Sequence, residues 1–353
     1  MATGLQRGHL SSTQVSQAGR GGMGTPSAGF TQKTIAGVNI VPRESLSALA
    51  GAHGDIGIAI AGGYNSTTSL YYATMEYIAI STTSNAINYG DLTRVTNQSA
   101  GVSSATRGFT VGGTSPDDVH SQTMAFSLRS KGVITNGMTF NFTNTPSERK
   151  GMCGISSATR GVICSGFNYS FTSEVGMAFI TFATFSTFSD FGSLGTARGN
   201  SGSVMSTTRG IIVCGETSNN VTTSASEYIT IATAGAGTNF GNNNNSVGAL
   251  ASASSNTRGV IAGGGITGMS YYTIATTGTG TNFGDHAVAT NGPSGTSNGT
   301  RGVFTGGRVS STMQTRMDYI TIASTGNTTS FGNLDVARYT AHLGQIAQSH
   351  GGI

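Results

Sequence analysis

Short apolar runs, each closed off by Gly, Ser, Thr or Asn, recur along this chain at a constant phase. The best-preserved copy extends from Thr300 to Arg338. It reads TRGVFTGG, a polar loop, DYITIAS, a second loop, then SFGNL and VAR. Earlier copies open at Thr257 (TRGVIAGG), Thr208 (TRGIIVCG), Thr159 (TRGVICSG) and Thr106 (TRGFTVGG), and a worn one starts at Gly57 (GIAIAGG). The leading arginines, Arg107, Arg160, Arg209, Arg258 and Arg301, stand 53, 49, 49 and 43 residues apart. A repeat of about 50 residues signals a propeller, a solenoid or an array. Runs this short, rich in β-branched residues and bounded by turn formers, read as strands. No useful stretch keeps a helical period.

Each unit has room for four strands. TRGVFTGG supplies one, and its terminal glycine pair suits a bulge or the close approach of another backbone. DYITIAS and SFGNL supply two more. A small-residue segment ahead of each TRG, often introduced by arginine (Arg94, Arg149, Arg198, Arg338), supplies the fourth. A single four-stranded sheet cannot bury both faces, whereas blades packed around a ring can. The expected fold is therefore an all-β propeller of four-stranded blades. Six full repeats occupy residues 43–335. At the C-terminus Arg338 leads YTAHLGQIAQ, a further first strand, and SHGGI stands where TRGVI would follow. This predicts a seventh blade shared by the termini, from residues 27–42 and 336–353; the alternative is six blades plus terminal arms. Residues 1–26, rich in Gly, Ser and Gln, form a flexible arm on this reading.

The pattern resembles kelch-type repeats. Those carry an arginine-led first strand, a Gly-Gly after the second, an aromatic opening the third and an aromatic on the fourth. Here these are Arg338, Gly306-Gly307, Tyr319 and Phe331. The family's Trp is absent, and Phe191, Phe240, Phe283, Phe331 and Tyr89 stand in its place. The Ser/Thr/Gly/Asn-rich version with TRGV, YITIAT and NFG looks like repeats of predicted bacteriophage virion and tail proteins. That resemblance implies a non-enzymatic structural or adhesion subunit of a phage particle, a tail, fibre or decoration protein present in multiple copies. Its partners would be other virion proteins, met through residues 1–26, and a host-surface glycan or receptor. It would be made in the host cytoplasm and reside in the virion. A secreted glycan-binding lectin and a kelch-type carbohydrate-active or copper enzyme are the alternatives.

Composition narrows this picture. Glycine contributes 54 of 353 residues, and only 9% are charged, so the surface should be hydroxyl and amide. The net charge of +4 is spread along repeat positions, whereas a nucleic-acid binder clusters its cations on one surface. The repeated arginines read as structural groups that bond carbonyls where blades meet. Three cysteines without a spacing motif argue against a disulfide scaffold and against zinc. The N-terminus, MATGLQRGHLSSTQ, lacks the apolar core of a secretory signal. No run approaches the ~20 apolar residues that would cross a bilayer as a helix.

No catalytic, metal or cofactor set can be nominated. The histidines His9, His53, His120, His286, His342 and His350 are scattered. A copper centre would need clustered Tyr, His and Cys, which this chain does not assemble. Its glycine loops do not lead into helices, as phosphate loops do. Binding residues instead fall on the loops after the Gly-Gly pairs: Thr114–Gln122, Phe167–Val175, Glu216–Ala225 and Arg308–Arg316. They share one repeat phase and should project from one rim. Candidate contacts are Asp117, Asp118, His120, Asn168, Tyr169, Asn219, Asn220 and Arg308. The Ser, Thr, Asn and Tyr content of these loops suits hydrogen bonding to a sugar or a neighbouring subunit.

Overall fold

The computed structural model describes residues 55–129, 134–139, 148–184, 187–218, 221–339 and 342–349. The expected arm (1–26) and the expected strand in 27–42 lie outside them. Among the described residues there is no α-helix, and the strands form six small sheets in a ring, a six-bladed β-propeller. Blade 4 shows the plan. Gly202–Met205, Arg209–Val213, Ala225–Thr230 and Thr238–Asn242 pair antiparallel in that order. Blade 3 repeats it from Cys153 to Ser193, blade 5 from Leu250 to Thr290 and blade 6 from Ser294 to Asn333. Blade 2 begins at Ser99 and blade 1 at Ile56.

The first strand of each blade lies at the centre, where the ring is narrowest. Its residues are correspondingly small, as in CGIS, GSVM, LASAS and SGTS. Neighbouring inner strands are tied side to side by serine hydroxyls. The backbone N–H of Ser103 donates to Ser156 Oγ (3.0 Å), that of Met205 to Ser254 Oγ (3.1 Å) and that of Ser254 to Ser297 Oγ (3.1 Å). Apolar side chains instead fill the wedges between blades. Six hydrophobic clusters each join one blade to the next, including blade 6 to blade 1 through Val303, Met317, Phe331, Ile60 and Ile78. Burying both faces of every sheet in this way is what the ring achieves and a lone sheet cannot.

Among the described residues the expected seventh blade is not formed, and the six-bladed alternative holds. Blade 1 has its second, third and fourth strands, Ile56–Ala61, Thr74–Ala79 and Ile87–Asp91. The C-terminal copy completes it from the inside. Ile58 N–H donates to Ile346 O and Gln348 N–H to Ile56 O, both at 2.9 Å, and Gly57 bridges Ala347 antiparallel. Just before that, His342–Leu343 pairs parallel with Ser99–Ala100 of blade 2. The terminal segment therefore follows the narrow centre, where Gln345, Ile346 and Ala347 are fully buried. It finds an unpaired inner edge on blade 1 and satisfies it, because buried backbone donors and acceptors must be paired.

The outer edges of blades 3, 4 and 5 are covered too. In blade 5 the turn after the third strand reaches back to the fourth strand of blade 4, where Gly278 N–H donates to Phe240 O and Gly280 N–H to Asn242 O, both 2.8 Å. The same add-on links blade 4 to blade 3 and blade 6 to blade 5. It explains the glycine of the NFG motif. Gly241 has φ +138°, and a Cβ there would sit 2.3 Å from Gly278 O. Covered edges cannot template pairing with other chains.

Candidate functional site

The five repeat arginines are clamps between blades. Arg160 Nη1 donates to Ile231 O (3.1 Å) and Ala232 O (2.8 Å) of the next blade. Arg209 does the same to Ile274 and Ala275, Arg258 to Ile322 and Ala323, and Arg301 to Ile80 and Ser81 across the closing junction. Arg107 reaches Phe182 O (3.3 Å). Four of these guanidinium groups also stack on an aromatic of their own blade at 4.1–4.4 Å: Phe179, Tyr228, Tyr271 and Tyr319. That ring in turn meets the fourth-strand aromatic edge-on, as Tyr228 does Phe240 at 6.1 Å. Planar, delocalised guanidinium suits both tasks at once. Blade 1 has Ile56 where the clamp would stand. There the closing strand substitutes: Gln348 Nε2 donates to Leu128 O at 2.9 Å, the carbonyl equivalent to Ile231.

Three of the arginines that precede the inner strands, Arg149, Arg198 and Arg338, are buried, while Arg94 is half-buried. Arg198 pairs with Glu227 and Arg338 with Glu76, with all four side chains almost wholly enclosed. Each carboxylate also accepts backbone N–H bonds, Gly195 and Thr196 to Glu227 and Asp335 to Glu76. Blade 6 keeps the carboxylate as Asp318 but replaces the arginine with Thr290; Arg316 bonds Asp318 at 2.6 Å and His286 Nε2 lies 3.6 Å away. The acidic partners Glu76, Glu227 and Asp318 were not singled out in the sequence. Their signal was present: each stands immediately before the aromatic of the third strand, Tyr77, Tyr228 and Tyr319.

The hairpins between second and third strands stand at one end of the ring. In five of the six blades the hairpin base forms a two-way backbone bridge with the linker entering that blade: Asn97 with Thr114, Lys150 with Phe167, Gly199 with Glu216, Asn291 with Arg308, and Tyr339 with Tyr64. The glycine pairs permit that approach; a Cβ on Gly113 would lie 2.7 Å from Asn97 O.

On this rim the candidates divide. Asp117 is exposed, while Asp118 is held by Arg94 and by Ser115 Oγ (2.7 Å). His120 is not offered to a partner: it is buried, with Nε2 3.1 Å from Thr96 Oγ1. Burial, aided by Arg94 and opposed by Asp118, pushes its imidazole down to about 4. Asn168 organises its own loop, accepting the N–H groups of Ser170 and Thr172 (3.0 Å each) and donating to Glu174. Tyr169 is 70% exposed. Arg308 stacks at 5.0 Å over Tyr339 of the closing linker, so it belongs to ring closure more than to a contact surface. Asn219 and Asn220 lie outside the described residues.

Sequence reasoning missed the apolar side of this rim. Among the described residues the exposed large hydrophobics are Leu70, Ile87, Tyr169, Phe171 and Val221. All but Ile87 sit on rim hairpins, of blades 1, 3 and 4. The hairpins of blades 3 and 4 are joined by Ser173 and Ser218, whose hydroxyls lie 3.0 Å apart and each accept the other's backbone N–H.

The opposite rim carries two shallow clefts, about 330 and 360 Å³, lined mainly by Ala, Thr and backbone. Cys153 and Cys164 face each other across blade 3, free and buried, and burial pushes the Cys164 thiol up. Among the described residues no three His, Cys, Asp or Glu side chains converge as metal ligands. No protein-family model matches this chain, and no curated protein matches it significantly.

Proposed function

We propose that this chain is a non-enzymatic structural or adhesion subunit of a bacteriophage particle, built on a kelch-like propeller. On this reading the ring is a rigid mount and the hairpin rim is the working surface, set against a neighbouring virion protein or a host-surface glycan. Residues 1–26 anchor it to the particle. One observation carries the reading: among the described residues, four of the five exposed large apolar side chains, Leu70, Tyr169, Phe171 and Val221, sit on hairpins of one rim. Exposed apolar groups that the fold does not need mark interaction sites. Assignment to a phage rests on the resemblance of the TRGV, YITIAT and NFG repeats, since one fold hosts many functions.

Mass spectrometry of purified particles tests the assignment. The protein should be present at stoichiometric level, and a chain lacking residues 1–26 should fold yet be missing from particles. Full occupancy by the shortened chain would move the anchor elsewhere. Stoichiometric copper or cleavage of a polysaccharide by the purified protein would replace the structural reading with an enzymatic one.

A further inference from the structure

We propose that the blade 3 hairpin is a stacking subsite for the apolar face of a neutral pyranose ring, as in a surface polysaccharide. The inference deepens the rim reading and rests on it.

The hairpin turns at Asn168 to Thr172. Its tip presents Tyr169, 70% exposed, and Phe171, 61% exposed. Phe171 also has φ +58°. A bulky side chain in the left-handed region is disfavoured, and glycine or asparagine would hold the same turn more comfortably. Exposing the ring forgoes its burial as well. Strain of this kind gathers at functional positions.

The ring is nevertheless held. Lys150, itself buried, places Nζ 3.3 Å from the Phe171 centroid, a cation–π contact on the inner face. Burial drives the Lys150 ammonium down to about 8, so enclosing it there is a further cost. The outer face of the ring remains open. Asn168 fixes the turn through Ser170 and Thr172, and Ser173 and Ser218 brace it against the blade 4 hairpin. The platform is thus preorganised.

Its surroundings select the occupant. The tip residues are Asn168, Tyr169, Ser170, Phe171 and Thr172, with no ionisable group but the phenol. Glu174 is engaged by Asn168 at 3.0 Å. A charged ligand therefore meets no counter-charge on the tip itself, since Lys150 is buried beneath the Phe171 ring and Glu174 is turned to Asn168. A stable protein interface needs roughly 800 Å² from each side, and two rings on a five-residue tip are a small core for one. A pyranose matches the site: one face of C–H groups for the ring, and a rim of hydroxyls for Ser, Thr and Tyr.

Saturation-transfer NMR on the full chain supplies the test. The probes are methyl α-glucoside, methyl α-mannoside, methyl β-galactoside and N-acetylglucosamine. At least one should receive magnetisation, and Tyr169→Ala and Phe171→Asn should each lower its affinity about tenfold. Phe171→Asn relaxes the backbone, so its thermal midpoint should hold or rise while binding falls. Leu70→Ala, on the blade 1 hairpin, should leave binding intact. Full binding by Phe171→Asn, or no transfer to any of the four sugars, overturns the subsite. If the wild type takes up no sugar but still joins particles, the assignment to a particle stands without the pyranose. If it then binds host cells through Phe171 and protease treatment of those cells abolishes capture, the occupant is a protein.

Discussion

A single histidine shows how burial becomes pH dependence. His120 is 3% exposed, and its imidazole is pushed from an ordinary value near 6.5 down to about 4. The folded chain therefore prefers the neutral ring. As pH falls, the unfolded chain takes up the proton first. The stabilisation is complete above about 6.5 and drains away between there and 4, with a ceiling of about 3 kcal/mol. Urea unfolding at intervals from pH 7 to pH 4 should show the loss. His120→Gln should start less stable at pH 7 and fall less steeply across that window. An unchanged slope in the variant would place the titration on another group. The sequence presented this histidine beside two aspartates and invited a surface reading. It could not reveal that the strand beyond Asp118 turns inward, which Val119, 4% exposed, already does.

Blades are coupled through main-chain carbonyls more than through charge. The clamp arginine of one blade caps the end of the third strand in the next, so strand ends that would otherwise need water are satisfied by a neighbour. Arg258 makes two such bonds, at 3.2 and 2.7 Å, while stacking on Tyr271. Arg258→Lys keeps the charge but loses the fork and most of the stacking. It should cost about 1–2 kcal/mol and lower the calorimetric midpoint by roughly 2–6 °C. A midpoint equal to wild type would show that the carbonyl caps add nothing. Blade 2 is the useful exception. Its third strand carries Ala125 where the others carry an aromatic, and Phe109 stacks on Phe182 of blade 3 instead, with centroids 5.3 Å apart. The irregular repeat is thus a repacked one. The aromatic moved from the outer stack to the wedge between blades.

At the scale of the molecule, closure depends on a strand from the far end of the chain. Ile346 and Ala347 are fully buried between blades 1 and 2 and their neighbours, and Gln348 replaces the missing clamp. Burying one Ile contributes about 2–3 kcal/mol, and each backbone bond adds about 1 kcal/mol. A chain ending at residue 341 should therefore lose on the order of 5 kcal/mol and unfold over a broader range, blade 1 first. Hydrogen exchange would show early loss of protection in Ile56–Ala61. A synthetic peptide of residues 338–353 should restore that protection. Equal protection with and without residues 342–353 would mean that the ring closes by blade-to-blade packing alone.

The sequence by itself determined the blade. Strand order, the Gly-Gly pairs, the clamp arginines, the paired aromatics and the common rim of the long hairpins were legible because each is local and repeated. A repeat averages away the noise that hides a single motif. Blade number was decided only by tertiary structure. A C-terminal first strand opens a new blade or completes an old one according to which edge is free, and that depends on contacts nearly 290 residues apart, between Ile58 and Ile346. The rim platform was hidden for a related reason. Phe171 reads in the sequence as one more aromatic near a turn. Its exposure, its left-handed backbone and the lysine beneath it exist only once the linker at Lys150 has been folded against the hairpin.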